Sequence, residues 1–264
     1  MVGRLLVIGV DGLGWFNLHG ELAQWMTFTR RLCQTRNCVK VRVKWGFSPR
    51  NWTLMFSGVD LPWYRKYVKP AGGDRWRLVR RDELPVRFIW DERPDIVVVN
   101  VPVVIPPLCL RTRFRPVAYG LPYTFYEWWR EVNEVRRHSL THLKRGENLI
   151  ACFTVIDRMY HITAKRGTIQ RISMELDEVI RQMVTLAERK GYHWMIVSDH
   201  GMRRMSEEEV GRVVPRHDMP YIRTVVKAIH EHEPHAIFIS SFKWEVKSLH
   251  DVYRAIRHVL ERLP

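Results

Sequence analysis

The sequence predicts an α/β protein with a mostly parallel central sheet and helices on both faces. Short runs of apolar, often β-branched residues recur along the chain, and a polar stretch with helical periodicity follows most of them. Unbroken apolar runs are typical of strands buried on both faces, and the alternation of strand and helix favours a parallel sheet. The expected strands are LLVIGV (5–10), VKVRV (39–43), DIVVVNVPVV (95–104), NLIACFTVI (148–156), WMIVS (194–198) and AIFIS (236–240).

Helices are expected between these strands, and two further segments do not fit the alternation. The expected helices span about 17–35, 50–57, 122–145, 168–190 and 248–262. Residues 60–94 are aromatic, basic and rich in turn residues, and residues 105–122 are irregular. We expect both segments to form a small lid inserted over the strand ends. With 264 residues, the chain is then a single domain, 1–264, that carries two insertions.

Composition places the chain among ordinary folded proteins, with 46% apolar and 27% charged residues. The first apolar run is too short for the core of a signal peptide, and no stretch approaches the ~18 apolar residues of a membrane span. A soluble, cytoplasmic protein is therefore expected. The four cysteines form no CxxC pair or zinc-finger spacing, so reduced thiols are expected, with a Cys33–Cys38 disulfide as the less favoured alternative.

The chain is strongly basic, with 43 Lys and Arg residues against 28 Asp and Glu residues and a net charge of +15. This imbalance favours anionic partners such as nucleotides, phosphorylated metabolites, nucleic acid or acidic lipid surfaces. Many arginines, including Arg130, Arg136 and Arg137, lie in segments with helical periodicity, where a solvated face is the simpler interpretation. We therefore expect a small phosphorylated or nucleotide substrate and regard nucleic acid as the less favoured partner.

Carboxylates and imidazoles follow three of the expected strands. These side chains are Asp11 after the first strand, Asp157 and His161 after the fourth, and Asp199 and His200 after the fifth. The carboxyl ends of parallel strands meet at one edge of a sheet, where ligands bind in open α/β folds. A single aspartate after a strand is usually a helix cap or turn residue, but the coincidence at three strand ends favours a metal centre. Carboxylates and neutral imidazoles suit Zn²⁺ or Mn²⁺, and two such ions can clamp both oxygens of a phosphoryl displacement.

A candidate nucleophile lies in the segment GFSPRNWTLMFSGV. Ser48 precedes Pro49, a residue that suits the first position of a helix. Ser48 would then occupy the cap position of the helix. There its hydroxyl would lie beside backbone amides and the positive end of the helix dipole, which favour a bound phosphate. The alternative is that Ser48 only caps the helix, and the residue pattern leaves both interpretations open.

These motifs resemble the type I phosphodiesterase/nucleotide pyrophosphatase branch of the alkaline phosphatase superfamily, and in particular its compact archaeal members. The resemblance covers nearly the whole chain, through LLVIGVDGLGW, SPRNWTLMFSG, DIVVVNVPVVIPP, FTVIDRMYH, VSDHGM and SLHDVYRAIRHVL. It implies an alkaline phosphatase-like fold, two divalent metal ions and a covalent phosphoryl-enzyme. Zn²⁺ is the expected metal, and Mn²⁺ is the alternative.

The resemblance also implies roles for individual residues. One metal ion would be held with the nucleophile, and the other by a second set that includes a late histidine. The first set is Asp11, Asp199 and His200 with Ser48, and the second is Asp157, His161 and the late histidine. Ser48 lies ten residues before Gly58, as the nucleophile of the family does before its glycine, and Thr53 is the weaker candidate.

The late histidine is the loosest of these assignments. His232 is favoured because it lies four residues before Ala236 in HEPHAIFI, as the histidine of the family lies before a small residue. His217 and His235 are the alternatives.

The chain departs from the family pattern in places. In the family, a proline and then a His-Gly pair often follow the Ser-Gly pair that corresponds to Ser57-Gly58. That motif is absent here, because the chain continues as VDLPWYRKY. A chain of 264 residues has no room for the second domain of cofactor-independent phosphoglycerate mutases, and SPRN does not meet the sulfatase signature. These departures affect the expected substrate contacts and argue against mutase and sulfatase activity.

The predicted function is hydrolysis of a phosphodiester or pyrophosphate bond in a nucleotide-like substrate, with two metal ions and a phosphoryl-serine intermediate. A phosphomonoesterase or phosphonate hydrolase with the same site is the second hypothesis, and an inactive protein that binds nucleic acid or anionic surfaces is the third. Trp63, Arg65, Lys66 and Trp76 of the lid could stack on and neutralise a nucleotide. Asn100 is a candidate contact for a phosphate oxygen, although a plain structural hydrogen bond competes with that role.

Overall fold

In the described part of the chain, seven strands form the central sheet. The computed structural model describes residues 4–44, 46, 48–61, 68–70, 76–78, 83, 85–102, 113–115, 124–162, 165–213 and 230–262. The strands are β1 (Arg4–Val10), β2 (Asn37–Arg42), β3 (Val68–Pro70), β4 (Trp76–Leu78), β5 (Ile96–Val99), β6 (Arg113–Arg115), β7 (Asn148–Phe153), β8 (Tyr192–Val197), β9 (Gly201–Arg204), β10 (His230–Glu233) and β11 (His235–Ser240). The sheet has the order β2-β11-β8-β1-β7-β5-β6, and β3-β4 and β9-β10 form separate two-stranded ribbons.

Helices connect most of the strands. They are α1 (Trp15–His19), α2 (Thr27–Thr35), α3 (Ser48–Ser57), α4 (Ile89–Glu92), α5 (Phe125–Arg145), α6 (Val155–Ile162), α7 (Arg166–Arg189), α8 (Glu207–Val213) and α9 (Leu249–Glu261), with a 3₁₀ turn at Glu21–Gln24. Among the helices described, none has both the length and the apolar character that crossing a bilayer requires.

The sheet is mostly parallel, as the alternation of strands and helices predicts. β1 lies near its centre and pairs in parallel with β7 and β8, and β5 and β6 continue the parallel part. β11 is the exception, because it pairs antiparallel with both β8 and β2. The prediction of a mostly parallel α/β sheet is thereby confirmed.

Helices cover both faces of the sheet, and the side chains of β1 alternate between them. Leu6 and Ile8 pack in one buried apolar cluster with residues of α5 and α7. Leu5 and Val7 pack in a second cluster with residues of α3 and α9. All four side chains are fully buried, which explains why the strand is an unbroken apolar run with no polar face.

Three expected element boundaries are wrong. The helix expected over 17–35 is divided into α1, the 3₁₀ turn and α2, and Gly20 lies at the first break. The strand expected over 148–156 ends at Phe153, because the apolar residues that follow begin α6. The strand expected over 95–104 ends at Val99, where Asn100 takes a left-handed conformation with φ of 56°.

The expectation of reduced cysteines is wrong for one pair. Cys33 at the end of α2 and Cys38 in β2 are joined by a disulfide. The turn between these elements brings their Cα atoms within 4.9 Å, a separation that a disulfide can span. Cys152 is a free, buried thiol, and Cys109 lies outside the described residues.

The predicted lid lies largely outside the described residues. This applies to Trp63, Arg65 and Lys66, and to residues 105–122 apart from the backbone of β6. At the far end of the first lid segment, the rings of Phe88 and Trp90 are buried and stack with a centroid separation of 4.7 Å. That end of the segment is therefore part of the core on the α3 and α9 face.

Candidate metal centre

The carboxyl edge of the sheet brings the predicted site residues together. Because β1 pairs in parallel with both β7 and β8, these three strands end side by side. Asp11 directly follows β1, and Asp199 and His200 follow β8 after a single residue. α6 follows β7, and Asp157 and His161 are four residues apart in it, on one face of the helix.

Three of these side chains form what we call the buried group: Asp11, Asp199 and His200. Their relative exposures are 4%, 0% and 0%. His200 Nε2 lies 3.2 Å from Asp199 Oδ2 and 3.4 Å from Asp11 Oδ1. Ser48 Oγ lies 2.8 Å from the same nitrogen and 3.4 Å from Asp11 Oδ1. The hydroxyl of the predicted nucleophile is therefore in contact with the buried group.

A second set of three side chains forms what we call the outer group: Asp157, His161 and His232. Asp157 Oδ1 lies 3.2 Å from the Nε2 atoms of both histidines, which are 3.0 Å apart. The side chains are 14%, 37% and 22% exposed, respectively. Asp157 Oδ1 is also 3.7 Å from His200 Nε2, so the two groups are adjacent.

Backbone carbonyls fix the orientation of one imidazole in each group. His200 Nδ1 lies 2.9 Å from the carbonyl oxygen of Gly201, and His232 Nδ1 contacts the carbonyl oxygen of Gly46. A carbonyl oxygen can only accept, so each Nδ1 carries the proton and donates it. In the neutral imidazole that a metal ion binds, each Nε2 then presents a lone pair to its group.

Two carboxylate oxygens at the centre of the cluster are buried and make no hydrogen bond to any described residue. They are Asp199 Oδ2 and Asp157 Oδ1, one in each group. Leaving such charged atoms without a partner is costly, and a divalent cation removes that cost. Among the described residues, the ligand atoms of two triads lie within 4.8 Å of one another. One triad is the outer group, and the other, Asp11–Asp157–His200, joins two members of the buried group to Asp157. The donor types and their convergence fit Zn²⁺ or Mn²⁺.

Gly12 allows the ends of β1 and β7 to approach closely. Its φ is +77°, and a Cβ there would lie 2.9 Å from backbone atoms of Asp157. The Gly12 amide donates to Asp199 Oδ1 at 3.3 Å, and the Asp157 amide donates to the Asp11 carbonyl at 3.1 Å. The tight turn after β1 thus connects the two groups through the backbone.

The ribbon of β9 and β10 delivers the last histidine. β9 begins directly after His200, and His232 in β10 lies opposite Met202 in β9. Asn17 clamps this ribbon, because its amide nitrogen donates to the Met202 carbonyl at 2.7 Å and its oxygen accepts from the Met202 amide at 2.8 Å. The sequence reasoning predicted neither the ribbon nor the role of Asn17.

Of the two alternatives to His232, His235 makes contacts outside the ligand groups, and His217 is not among the described residues. The His235 ring contacts the carboxylate of Glu233 and meets the edge of Phe16 at a centroid separation of 5.3 Å. His235 is absent from both ligand triads found among the described residues. His217 lies outside the described residues.

Ser48 is the first residue of α3, with Pro49 next, so the helix begins one residue earlier than the sequence pattern predicts. The other nucleophile candidate, Thr53, is fully buried and donates its hydroxyl to the Pro49 carbonyl at 2.6 Å within the same helix. Asn51 was not singled out from the sequence, although its amide donates to the Asp199 carbonyl at 2.9 Å. This bond ties the helix that carries Ser48 to the strand end that carries Asp199.

Most of the chain matches the sequence model of a known family. The sequence model of the family described as Type I phosphodiesterase / nucleotide pyrophosphatase matches residues 43–264. The chain belongs to this family. The resemblance to the type I phosphodiesterase/nucleotide pyrophosphatase branch is thereby confirmed, phosphoester hydrolysis is the chemistry that the family supports, and dependence on divalent metal is expected. Asp11 lies ahead of the matched residues.

Solved structures show the same fold at low sequence identity. An inactive form of murine ectonucleotide pyrophosphatase / phosphodiesterase 5, in complex with AMP, superposes with a TM-score of 0.61 at 14% identity, over 99% of this chain and 96% of that one. Phosphonoacetate hydrolase from Sinorhizobium meliloti 1021, in complex with phosphonoformate, gives a TM-score of 0.59 at 9% identity, over 97% and 96%. A 2-O GAG sulfatase gives 0.63 at 11%, over 99% and 71%. No curated protein sequence matches the chain.

Asn100 lies at the end of β5 and is buried. Its side-chain amide donates to Glu131 Oε1 at 3.2 Å and to the Cys152 carbonyl at 3.1 Å. Asn100 therefore makes structural hydrogen bonds, which is the alternative role that the sequence analysis considered. A contact between Asn100 and a phosphate oxygen stays a prediction.

Burial and mutual charge shift the pKa values of the cluster. Burial, reinforced by the Asp11 carboxylate, raises the pKa of Asp199 well above its usual range. Burial disfavours the charged form of His200, but the neighbouring carboxylates, led by Asp199, outweigh it and raise the pKa of His200 to about 10. Burial also disfavours ionised Asp157, but the imidazoles of His161 and His232, whose Nε2 atoms lie 3.2 Å from Asp157 Oδ1, outweigh it and lower the pKa of Asp157. Negative charge thus accumulates at this edge, and a bound cation would take the place of protons.

Proposed function

We propose that the chain is a two-metal phosphohydrolase that cleaves a phosphodiester or pyrophosphate bond of a nucleotide-like substrate through a phosphoryl-serine intermediate. One observation carries the proposal: the Ser48 hydroxyl lies 2.8 Å from His200 Nε2 in the buried group, and Asp157 of the outer group lies 3.7 Å from that same nitrogen. One hydroxyl beside two adjacent ligand groups suits an in-line phosphoryl displacement.

The two ligand groups would hold one divalent cation each. Asp11, Asp199 and His200 would hold the first together with Ser48, and Asp157, His161 and His232 would hold the second. Zn²⁺ is the proposed ion and Mn²⁺ the alternative, since both accept carboxylate and imidazole ligands. When bound, these cations supply positive charge that favours the ionised serine hydroxyl and neutralises the phosphoryl oxygens.

Ser48 would act as the nucleophile. Its ionised oxygen attacks phosphorus in line with the leaving oxygen, so that the new P–O bond forms as the bond to the leaving group breaks. The serine-bound phosphoryl group keeps the substituent that did not leave. Water then attacks its phosphorus in line with the serine oxygen, which releases the phosphate product with that substituent and restores the hydroxyl. Because α3 begins at Ser48, its first free amides and its positive dipole end lie beside the transferred phosphoryl group.

The proposal of a nucleotide-like substrate depends mainly on the family to which the chain belongs and on its similar structures. The family includes nucleotide pyrophosphatases, and the murine relative is seen in complex with AMP. The net charge of +15 supports an anionic substrate in general. A small phosphorylated molecule is therefore proposed ahead of a nucleic acid.

A phosphonate or phosphomonoester substrate is the second candidate. The similarity to phosphonoacetate hydrolase favours it, because that fold covers almost the full length of both chains. The same two ligand groups and Ser48 would serve this reaction, and only the contacts to the leaving group would differ.

Substrate comparison with metal-loaded protein tests the proposal. Chromogenic diesters and nucleotide pyrophosphates are expected to react faster than the matching monoester or a phosphonate, and mass spectrometry of quenched protein should show on Ser48 the phosphoryl group with the substituent that it retains. Faster monoester or phosphonate turnover would favour the second candidate. Absence of turnover on every substrate after loading with either metal, with salt-sensitive binding of nucleic acid, would favour an inactive binding protein instead.

A further inference from the structure

A buried glutamate outside both ligand groups contacts the segment that carries two of the three members of the outer group. Glu131 lies on α5 and is 2% exposed. The helix buries Trp128, Val132 and Val135 on the same side, and all three are apolar. A carboxylate in such a place loses its hydration, so its stability depends on the hydrogen bonds it accepts.

One oxygen of Glu131 ties α5 to the ends of two strands. Glu131 Oε1 accepts from the Thr154 amide at 2.6 Å, from the Thr154 hydroxyl at 2.8 Å and from the Asn100 amide group at 3.2 Å. Thr154 is the single residue between β7 and α6, and Asn100 directly follows β5. The carboxylate therefore holds the point where the chain leaves the sheet and enters α6.

This point determines where the outer group lies. Asp157 is three residues beyond Thr154, and His161 follows one helical turn later. A negative charge beside the start of a helix stabilises that end, and Glu131 meets the residue that immediately precedes α6. The other backbone bond that fixes the same turn runs from the Asp157 amide to the Asp11 carbonyl at 3.1 Å. A shift of Thr154 would carry both side chains of α6 away from His232.

The conformation of Asn100 indicates that this junction is held under strain. Among the non-glycine residues described, Asn100 is the one with a positive φ, 56°. Its side chain bonds both Glu131 and the Cys152 carbonyl, which lies next to the end of β7. The bonds to Glu131 and Cys152 compensate for the unfavourable backbone and join β5 to β7.

Arg158 supplies the charge that balances Glu131. Burial raises the pKa of Glu131, and the guanidinium of Arg158 is the largest opposing influence, ahead of the bonds from Thr154. Glu131 Oε2 and Arg158 Nη1 are both buried and make no hydrogen bond within the described part of the chain. The charge pair thus spans α5 and α6, and Arg158 is the immediate neighbour of Asp157.

We propose that Glu131 is a positioning residue, which fixes the first turn of α6 and thereby places Asp157 and His161 opposite His232. The inference rests on the proposed function only in that it treats the outer group as a metal site. Glu131 itself contacts neither substrate nor metal.

Asp177 offers a matched control elsewhere in the molecule. It is 6% exposed on α7, and burial raises its pKa as it does for Glu131. It accepts from the Thr29 amide at 2.9 Å, the Thr29 hydroxyl at 2.7 Å and the Phe28 amide at 2.8 Å, at the start of α2. The two carboxylates perform the same local task, but only Glu131 does so for a helix that carries candidate ligands.

Metal titration and amide hydrogen exchange on the full-length variants Glu131→Ala, Glu131→Gln and Asp177→Ala test the proposal. Glu131→Ala should weaken Zn²⁺ binding at one of two sites by roughly 10–100-fold, as loss of a supporting bond does, and speed exchange in α6. Glu131→Gln should retain both, because its amide oxygen can accept the same three bonds. Asp177→Ala should speed exchange in α2 and leave both metal sites unchanged.

Two results would overturn the proposal. One is wild-type metal binding together with wild-type exchange of α6 in Glu131→Ala. The other is an equal loss of metal affinity in Asp177→Ala, which would mean general destabilisation. If Glu131→Ala does not fold, Thr154→Val removes only the hydroxyl contact and should give a smaller change of the same sign, whereas no change would count against the proposal. If wild-type protein bound no metal, the proposed function would fail, and α6 exchange would still decide the role of Glu131.

Discussion

The buried group and the outer group are built from the same kinds of side chain, but the fold supports them differently. Asp11, Asp199 and His200 stand directly at the ends of central strands and are at most 4% exposed. Asp157 and His161 stand on a short helix, and His232 stands on a separate two-stranded ribbon. The buried group therefore inherits its geometry from the sheet, whereas the outer group depends on contacts made by α5, Asn17 and the turn after β1. We expect the first cation to be held tightly and the second to be exchangeable.

Removal of the nucleophile should have the largest effect on activity. Ser48→Ala should lower the rate of hydrolysis by on the order of 10⁴-fold or more, since the covalent route is lost while both ligand groups remain. Rate measurements on metal-loaded protein, with metal content determined in parallel, check this. Thr53→Val is the matched control and should still form the phosphoryl-enzyme. An adduct that persists in Ser48→Ala would point to another nucleophile.

Loss of a buried ligand should be nearly as severe and should resist rescue. Asp199→Ala removes the fully buried carboxylate that lies 3.2 Å from His200 Nε2. The variant should retain one bound ion instead of two and show no detectable turnover even in excess metal. Elemental analysis and rate measurements test this. Full activity with two ions bound would exclude Asp199 from the site.

Loss of an outer ligand should be milder and reversible. His161→Ala opens a position that is already 37% exposed, so metal affinity should fall by at least roughly tenfold. Activity should then return as the free metal concentration rises, because binding follows mass action. Activity titrated against metal tests the difference between the groups. If excess metal restored the activity of Asp199→Ala but not that of His161→Ala, the expected difference between the two ligand groups would be wrong.

The metal-free protein should lose stability as pH rises. The pKa of His200 is about 10 in the folded protein against 6.5 for the ordinary side chain, so its proton stabilises the fold fully below about pH 6.5. That contribution, roughly a few kcal/mol, disappears between about pH 6.5 and 10. The raised pKa of Asp199 acts in the same direction. Thermal denaturation of chelated protein tests this, with metal-loaded protein as the control, whose bound cation should remove the trend. Greater stability of the chelated protein at the alkaline end would contradict it.

Substitution of His235 should have the smallest effect. Its ring contacts Glu233 and Phe16 rather than either ligand group, so His235→Ala should leave metal content unchanged and alter the free energy of unfolding by about 0.5 kcal/mol or less. His232→Ala is the paired variant and should lose the exchangeable ion. Equal loss of metal from both would remove the distinction between these histidines.

The difference between the two groups also explains what the sequence could predict. Asp11, Asp199 and His200 follow apolar strands, so the strand pattern alone places them at one edge of a parallel sheet. The four-residue spacing of Asp157 and His161 similarly indicates a shared helix face. His232 was favoured only through the family resemblance, because HEHE in β10 lacks the apolar run that marks a strand.

Residues that support the site were missed because their roles depend on tertiary contacts. Asn17 and Asn51 bind the backbone of Met202 and Asp199, which are distant in sequence. For Glu131 a signal was present, since a carboxylate occupies the same helix side as Val135 and Trp128, but the pattern does not show what it would bind. The Cys33–Cys38 disulfide was only the less favoured alternative for a similar reason, because its geometry depends on the turn into β2.

Anomalous scattering from crystals grown with Zn²⁺ or Mn²⁺ would locate the ions themselves. Two peaks about 4 Å apart are expected, one among Asp11, Asp199, His200 and Ser48 and the other among Asp157, His161 and His232. The second peak should weaken first when the metal concentration is lowered. Absence of any peak at this edge of the sheet, or a peak surrounded by other side chains, would contradict the proposed two-metal centre.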